Sequence, residues 1–337
     1  MIKKCLSVIA ALTLIGCACC TEPVATKSTS QLTSLYDFQI VESISNTNIN
    51  VSQLVSKLVY RDVIFVGEFH SHQASHLLQL QILEGLYQKN KNLVLSMEQF
   101  TRDSQDILNK YLSGEYGEQT LINDANAWEH YKGSYRAVVE FAREKNIPII
   151  AANAPAMHVR CVGIHGVDIL KTLPEEQKSW SAQNLDLSNE KYKAKFLDFI
   201  SQAGASHGQS PEQMKQRQLK TFAAQLLRDT TMAESIILAR QQYPNAQIIH
   251  LNGSFHSDGH LGTVAELEAK QPNLKVTVLS PATANNLEQP EASLEQLQLG
   301  DFVYLIKPLP QRYIDKEKRN DSIRELIKSR MTNKCEL

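Results

Sequence analysis

The feature that most constrains this chain is a recurrence: short apolar runs of strand length, each closed by a polar exit and separated from the next by an amphipathic stretch. Val63 to Val66, Leu93 to Met97, Ile147 to Ala152, Gln247 to Leu251, Lys275 to Leu279 and Phe302 to Ile306 read as strands. Ser75 to Gln88, Gly133 to Lys145 and two stretches covering Glu212 to Tyr243 carry apolar residues at helical spacing. Such alternation predicts α/β architecture, a mostly parallel central sheet flanked by helices. The polar stretch over residues 174–211 reads as a helical cap insertion on the main domain, expected over 45–310. Residues 311–337 read as a charged C-terminal helix.

The start of the chain has a different character. Lys3 and Lys4 precede an apolar run from Leu6 to Ile15 that is too short to span a bilayer, the pattern of a signal peptide over residues 1–16. Leu14-Ile15-Gly16-Cys17 resembles the bacterial lipobox, which implies cleavage before Cys17 and lipidation of its thiol. Acyl chains contribute about 0.8 kcal/mol per buried CH₂, so several of them would hold the protein in the cell envelope. Residues 17–44 then read as a tether, and Ala18, standing where an acid would otherwise retain the protein, points to an outer membrane. With the signal gone, 33 basic residues face 36 acidic ones, a formal charge of −3 that gives no reason to expect a nucleic-acid partner. Cys5 leaves with the signal, and Cys19 and Cys20 sit in the tether. The spacing CxxC occurs only at Cys17 to Cys20, within the lipobox and tether, and CxxCH is absent, which speaks against a structural zinc knuckle and a covalent c-type haem. An oxidising compartment would permit Cys161 and Cys335 to form a disulfide, but spacing does not pair them.

Four strand exits are rich in polar residues: Gly67-Glu68-Phe69-His70, Met97-Glu98-Gln99, Ala152-Asn153-Ala154-Pro155 and Leu251-Asn252-Gly253-Ser254-Phe255-His256. Ligands bind outside the carboxyl ends of strands in open parallel sheets, so these exits predict one site. Glu68 and His70, two apart, share a face if the strand persists and suit either metal ligation or acid–base work, with Glu98 nearby. His72 and His76 lie near a helix start, where His72 reads as part of a solvated turn. Tyr131 and Tyr135, four apart beside Trp128 and His130, would present two phenols on one helical face, as core packing or as a phenolate ligand to ferric haem. Asp229, one turn after Gln225, is either a buried polar group needing a partner or the cap of a helix starting at Thr230. His207 reads as a loop histidine unless it folds over the site.

Taken in order, the blocks Val63 to His70, Leu95 to Phe100, the helix bearing Tyr135, Ile149 to Asn153, Ala224 to Ala233 and Asn252 to Gly262 resemble the ChaN-like haem-binding lipoproteins. These belong to a superfamily with the Tiki and TraB proteins and the erythromycin esterases, and the resemblance covers about residues 50–280. It implies non-covalent binding of haem b at a homodimer interface, in haem and iron acquisition, with an outer-membrane haem receptor as a partner. Tyr135 is then the first candidate for the iron and Tyr131 the second. His70 and His256 become candidates for propionate or metal contacts, with Asn153, Asp229 and His207 also at the cofactor. The second reading is a metal-dependent hydrolase of the Tiki or erythromycin esterase type, in which Glu68, His70, Glu98 and His256 act through a divalent metal such as Mn, Co or Zn. The chain lacks HExxH, a signature that would favour that reading.

Overall fold

Every residue of the run Val63 to Glu68 is buried, which requires cover on both faces of the sheet it joins. The computed structural model describes residues 31–202, 210–332 and 334–336. The expected signal peptide, Cys17 and His207 therefore lie outside the described residues. The strands are β1 (Phe38–Glu42), β2 (Thr47–Ile49), β3 (Val63–Glu68), β4 (Leu93–Thr101), β5 (Ile149–Asn153), β6 (Gln247–Gly253), β7 (Val276–Thr283) and β8 (Phe302–Ile306). They form one sheet in the order β2-β1-β8-β7-β3-β6-β4-β5. From β8 to β5 all pairings are parallel, while β1 runs antiparallel to β8 and to β2.

The helices are α1 (Val51–Leu58), α2 (Gln73–Lys89), α3 (Gln105–Leu112), α4 (Glu118–Asp124), α5 (Tyr131–Ser134), α6 (Arg136–Glu144), α7 (Ala156–His165), α8 (Glu190–Gln202), α9 (Pro211–Gln242), α10 (Thr263–Lys270) and α11 (Lys316–Thr332). One layer packs on each face. Ile64, Val66, Leu95 and Met97 meet Leu78, Ile82 and Val139 on one side. Val63, Phe65 and Val94 meet Ala233, Ile236 and Val264 on the other. The period of two along each strand divides its side chains between these layers.

All six expected strands form, with β3, β4, β6 and β7 running further than their apolar runs. Three expectations change. Residues 38–42, read as tether, form β1, whose Ile40 and Val41 are buried. The two expected stretches over 212–243 are one helix, α9, in which neither proline nor glycine intervenes after its first residue. The expected single helix from Gly133 to Lys145 is instead α5 and α6, joined at Tyr135, whose φ of −112° departs from helical geometry.

Candidate functional site

The four polar exits are neighbours in space, because β3, β6, β4 and β5 are consecutive in the sheet and parallel. Strand parity then sends the two carboxylates to opposite layers. Glu68 follows Ile64 and Val66 toward α2 and α6, whereas Glu98 follows Val94 and Ser96 toward α9 and α10.

Glu68 is 1% exposed and satisfied on both oxygens. Tyr135 donates its hydroxyl to Oε1 at 2.5 Å, and His70 Nδ1 lies 2.8 Å from the same oxygen. The Gln79 amide donates to Oε2 at 2.7 Å. Burial pushes the Glu68 pKa up, but the bond from His70, the charges of His76 and His70 and the Tyr135 hydroxyl outweigh it, so the carboxyl stays below its usual range. Tyr135 shifts upward, through burial first and then the charge of Glu68, and remains a neutral phenol. His76 completes the cluster, its Nδ1 at 3.1 Å from Gln79 Oε1 and its ring edge-to-face with Tyr135.

Glu98 sits in a second network. Its Oε2 accepts the Gly253 backbone N–H at 2.6 Å, and His256 Nε2 lies 3.4 Å from Oε1. The other side of His256 bonds through Nδ1 to Asp229 Oδ1 at 2.6 Å. Asp229 also accepts the Tyr192 hydroxyl at 2.6 Å and the Thr263 hydroxyl at 2.9 Å. Burial opposes charge on His256, but two flanking carboxylates prevail and raise its pKa to about 10. Burial likewise opposes charge on Glu98, and the cationic His256 with its hydrogen bond lowers that pKa to about 2. The result is an imidazolium clamped between the side chains of Glu98 and Asp229.

Of the residues expected at a cofactor, His70 alone among the described ones is substantially open, its side chain 46% exposed. The strand ends at Glu68, so the Glu68–His70 pair forms through a turn in which Ser71 adopts a φ of 67°. Tyr135 and Tyr131 are 0% and 2% exposed, and the break between α5 and α6 gives them different surroundings. Tyr131 packs against Phe100, and its hydroxyl has no hydrogen-bond partner among the described residues. Asn153 is buried, its side chain donating to the Glu98 carbonyl and accepting from the Ala154 N–H. Asp229 lies mid-helix in α9 and is a buried polar group with partners, not the cap of a helix at Thr230. His72, expected in solvent, is 1% exposed and caps α2, with Nε2 at 2.7 Å from the Lys307 carbonyl. Sequence reasoning missed Gln79, Tyr192 and Thr263. Gln79 carried a signal, three residues after His76 on one helical face, whereas Tyr192 arrives from the cap with no local cue. Among the described residues no group of three or more His, Cys, Asp or Glu is arranged to hold a metal ion.

Fold and site together define an α/β protein whose polar groups gather at the carboxyl edge of a mostly parallel sheet. A family model described as haem-binding uptake, Tiki superfamily, ChaN matches residues 54–267, well over half of the chain. The protein belongs to that family. Among solved structures it is similar to ChaN of Campylobacter jejuni, described with cofacial haem, at 20% identity and a TM-score of 0.61, covering 81% of this chain and 98% of that one. A mutant erythromycin esterase in its open conformation matches at 10% identity and a TM-score of 0.43, over 84% of this chain and 86% of that one. A succinoglycan biosynthesis protein matches at 10% identity and 0.45, over 83% and 95%. No curated protein sequence matches at a significant level.

Proposed function

We propose that this protein binds haem b non-covalently beside the Glu68 cluster, at an interface between two copies, and serves haem and iron acquisition as a lipoprotein of the cell envelope. The observation that carries the reading is the family match over residues 54–267. Anchoring through Cys17, in an outer membrane beside a haem receptor, rests on the N-terminal pattern. Export has a second support in the Cys161–Cys335 disulfide, a bond typical of oxidising compartments. Among the described residues no helix is long and apolar enough to cross a membrane.

The residues fit haem only in part. Phe69 is 36% exposed, Trp128 is partly open and His70 stands between Trp128 and Gly253, a surface suited to a flat apolar ligand with one metal contact. Tyr135 does not fit as a ligand in this arrangement, because its hydroxyl is buried and committed to Glu68. His256, held by Asp229 and Glu98, is likewise turned away from a propionate. The hydrolase reading fares no better, since a carboxylate held near pKa 2 is a weak general base at neutral pH.

Haemin titration of the purified protein, followed by absorbance and by sedimentation, tests the reading. Saturable binding accompanied by a doubling of mass supports it. A protein that neither retains haemin nor changes mass sinks it. Metabolic palmitate labelling, abolished by Cys17→Ser, checks the anchor.

A further inference from the structure

We propose that the open edge of the sheet is a docking groove for an extended, uncharged peptide segment of a partner protein, which adds as a strand parallel to β5 and displaces the Gln105 side chain. The site is separate from the Glu68 cluster and independent of the haem-binding reading.

β5 is the last strand of the sheet, with β4 as its single strand neighbour among the described residues. A groove of about 500 Å³ lies along it. Leu238 and Tyr243 of α9 wall one side, Gln105 and Leu112 of α3 the other, and Trp180 stands with Arg102 near the carboxyl end. One extended chain fits between such walls. A second sheet edge would bring its own flanking helices against α3 and α9.

The occupant is specified by what now covers the strand. Gln105 donates from Nε2 to the Ile149 carbonyl at 3.0 Å and accepts the Ala151 N–H on Oε1 at 2.7 Å. A residue of an antiparallel neighbour exchanges both its bonds with one residue of the strand, whereas a residue of a parallel neighbour takes the carbonyl of one residue and the N–H of the residue two further on. One carboxamide thus reproduces one residue of a parallel strand, and a peptide arriving in that direction replaces its bonds and extends the ladder along β5.

The walls also set the chemistry of the segment. Alternate residues of an added strand turn toward α9, where Ile150 and Leu238 lie, and Leu238 is 54% exposed, so apolar side chains belong there. Arg102 is the one charged residue lining the groove, and its guanidinium is engaged by the Thr231 carbonyl at 2.7 Å, the Ser235 hydroxyl at 2.8 Å and Glu234 at 3.7 Å. An acidic or basic segment would therefore find no unpaired opposite charge among the lining residues.

Selection of a randomised peptide display library on the full protein, without haemin, tests the proposal. The enriched sequences should be uncharged and apolar at alternate positions. Methylating the peptide nitrogens that face β5 should abolish binding, while methylating the intervening ones should not. Gln105→Ala removes the carboxamide that competes with the peptide and should tighten binding by about tenfold. In that variant the peptide should slow hydrogen exchange at the Ala151 N–H. Leu238→Glu, a change at an exposed helical position whose fold circular dichroism would verify, should weaken binding by about tenfold or more. Absence of any enriched sequence, or binders indifferent to both substitutions, would overturn the proposal. A haemin-free dimer of the wild-type protein that Leu238→Glu dissolves would also overturn it, by giving the edge to a second copy.

Discussion

At the scale of single residues, Glu68 shows how a buried carboxylate is kept charged: four groups, His70 and Gln99 from strand exits and Gln79 and Tyr135 from helical segments, converge on it. Removing one leaves an acceptor short in a dry place. Tyr135→Phe should therefore lower unfolding free energy by about 1.5–3 kcal/mol, the usual worth of a hydrogen bond to a charged group, measured by urea denaturation. An unchanged midpoint would show that water replaces the phenol. Gly253→Ala acts from the opposite side. Its new methyl group displaces the His70 ring and not the backbone, so the fold should persist while haemin binding weakens by about tenfold or more, read by titration. The Glu68–His70 pair was legible in the sequence because two residues at a strand exit are constrained locally. Core packing was one of the two readings the spacing offered for Tyr131 and Tyr135, and both are buried, but the bond from Tyr135 to Glu68 was not legible, because its partner lies 67 residues away.

At the scale of elements, the Glu98–His256–Asp229 chain ties the end of β4 to the turn after β6 and to the middle of α9. Its pH dependence follows from the two shifts. His256 is raised from 6.5 to about 10, so its contribution is complete below pH 6.5 and disappears as pH rises through 10. Glu98 is lowered from 4.5 to about 2, so its contribution is complete above pH 4.5 and disappears as pH falls through 2. Stability from this chain is therefore full between pH 4.5 and 6.5. Thermal midpoints across pH should fall on both sides of that window, and His256→Gln should flatten the alkaline fall; an equally steep fall in the variant would rule the network out as its source. A second device guards the open edge of the sheet, where Gln105 bonds both the Ile149 carbonyl at 3.0 Å and the Ala151 N–H at 2.7 Å. Gln105→Ala uncovers that edge, which light scattering at elevated concentration would register as increased self-association. Strands with long apolar runs were readable because burial on both faces imposes such runs. The short antiparallel β1 and β2 were not, since Phe38 to Glu42 is brief and follows a polar stretch, and its partner β8 lies some 260 residues downstream.

At the scale of the whole molecule, one covalent link closes most of the domain. Cys161, fully buried on α7, joins Cys335 beyond α11 across 174 residues. No spacing rule pairs two cysteines so far apart, because what brings them together is the packing of α7 against α9 and the return of the C-terminus to that side. A bond of this span removes much of the freedom of the unfolded chain, and loss of such bonds costs about 2–5 kcal/mol. The sheet does not depend on it for its contacts, since the clusters on its two faces are built without Cys161. Reduction should thus lower the thermal midpoint without abolishing folding at moderate temperature, and α11 should become sensitive to protease while β1 to β8 stay protected. The double variant Cys161→Ser/Cys335→Ser should melt at the reduced protein's midpoint and show no further response to reductant. Equal midpoints for oxidised and reduced wild-type protein would mean that the bond restrains only a tail, and would remove its support for residence in an oxidising compartment.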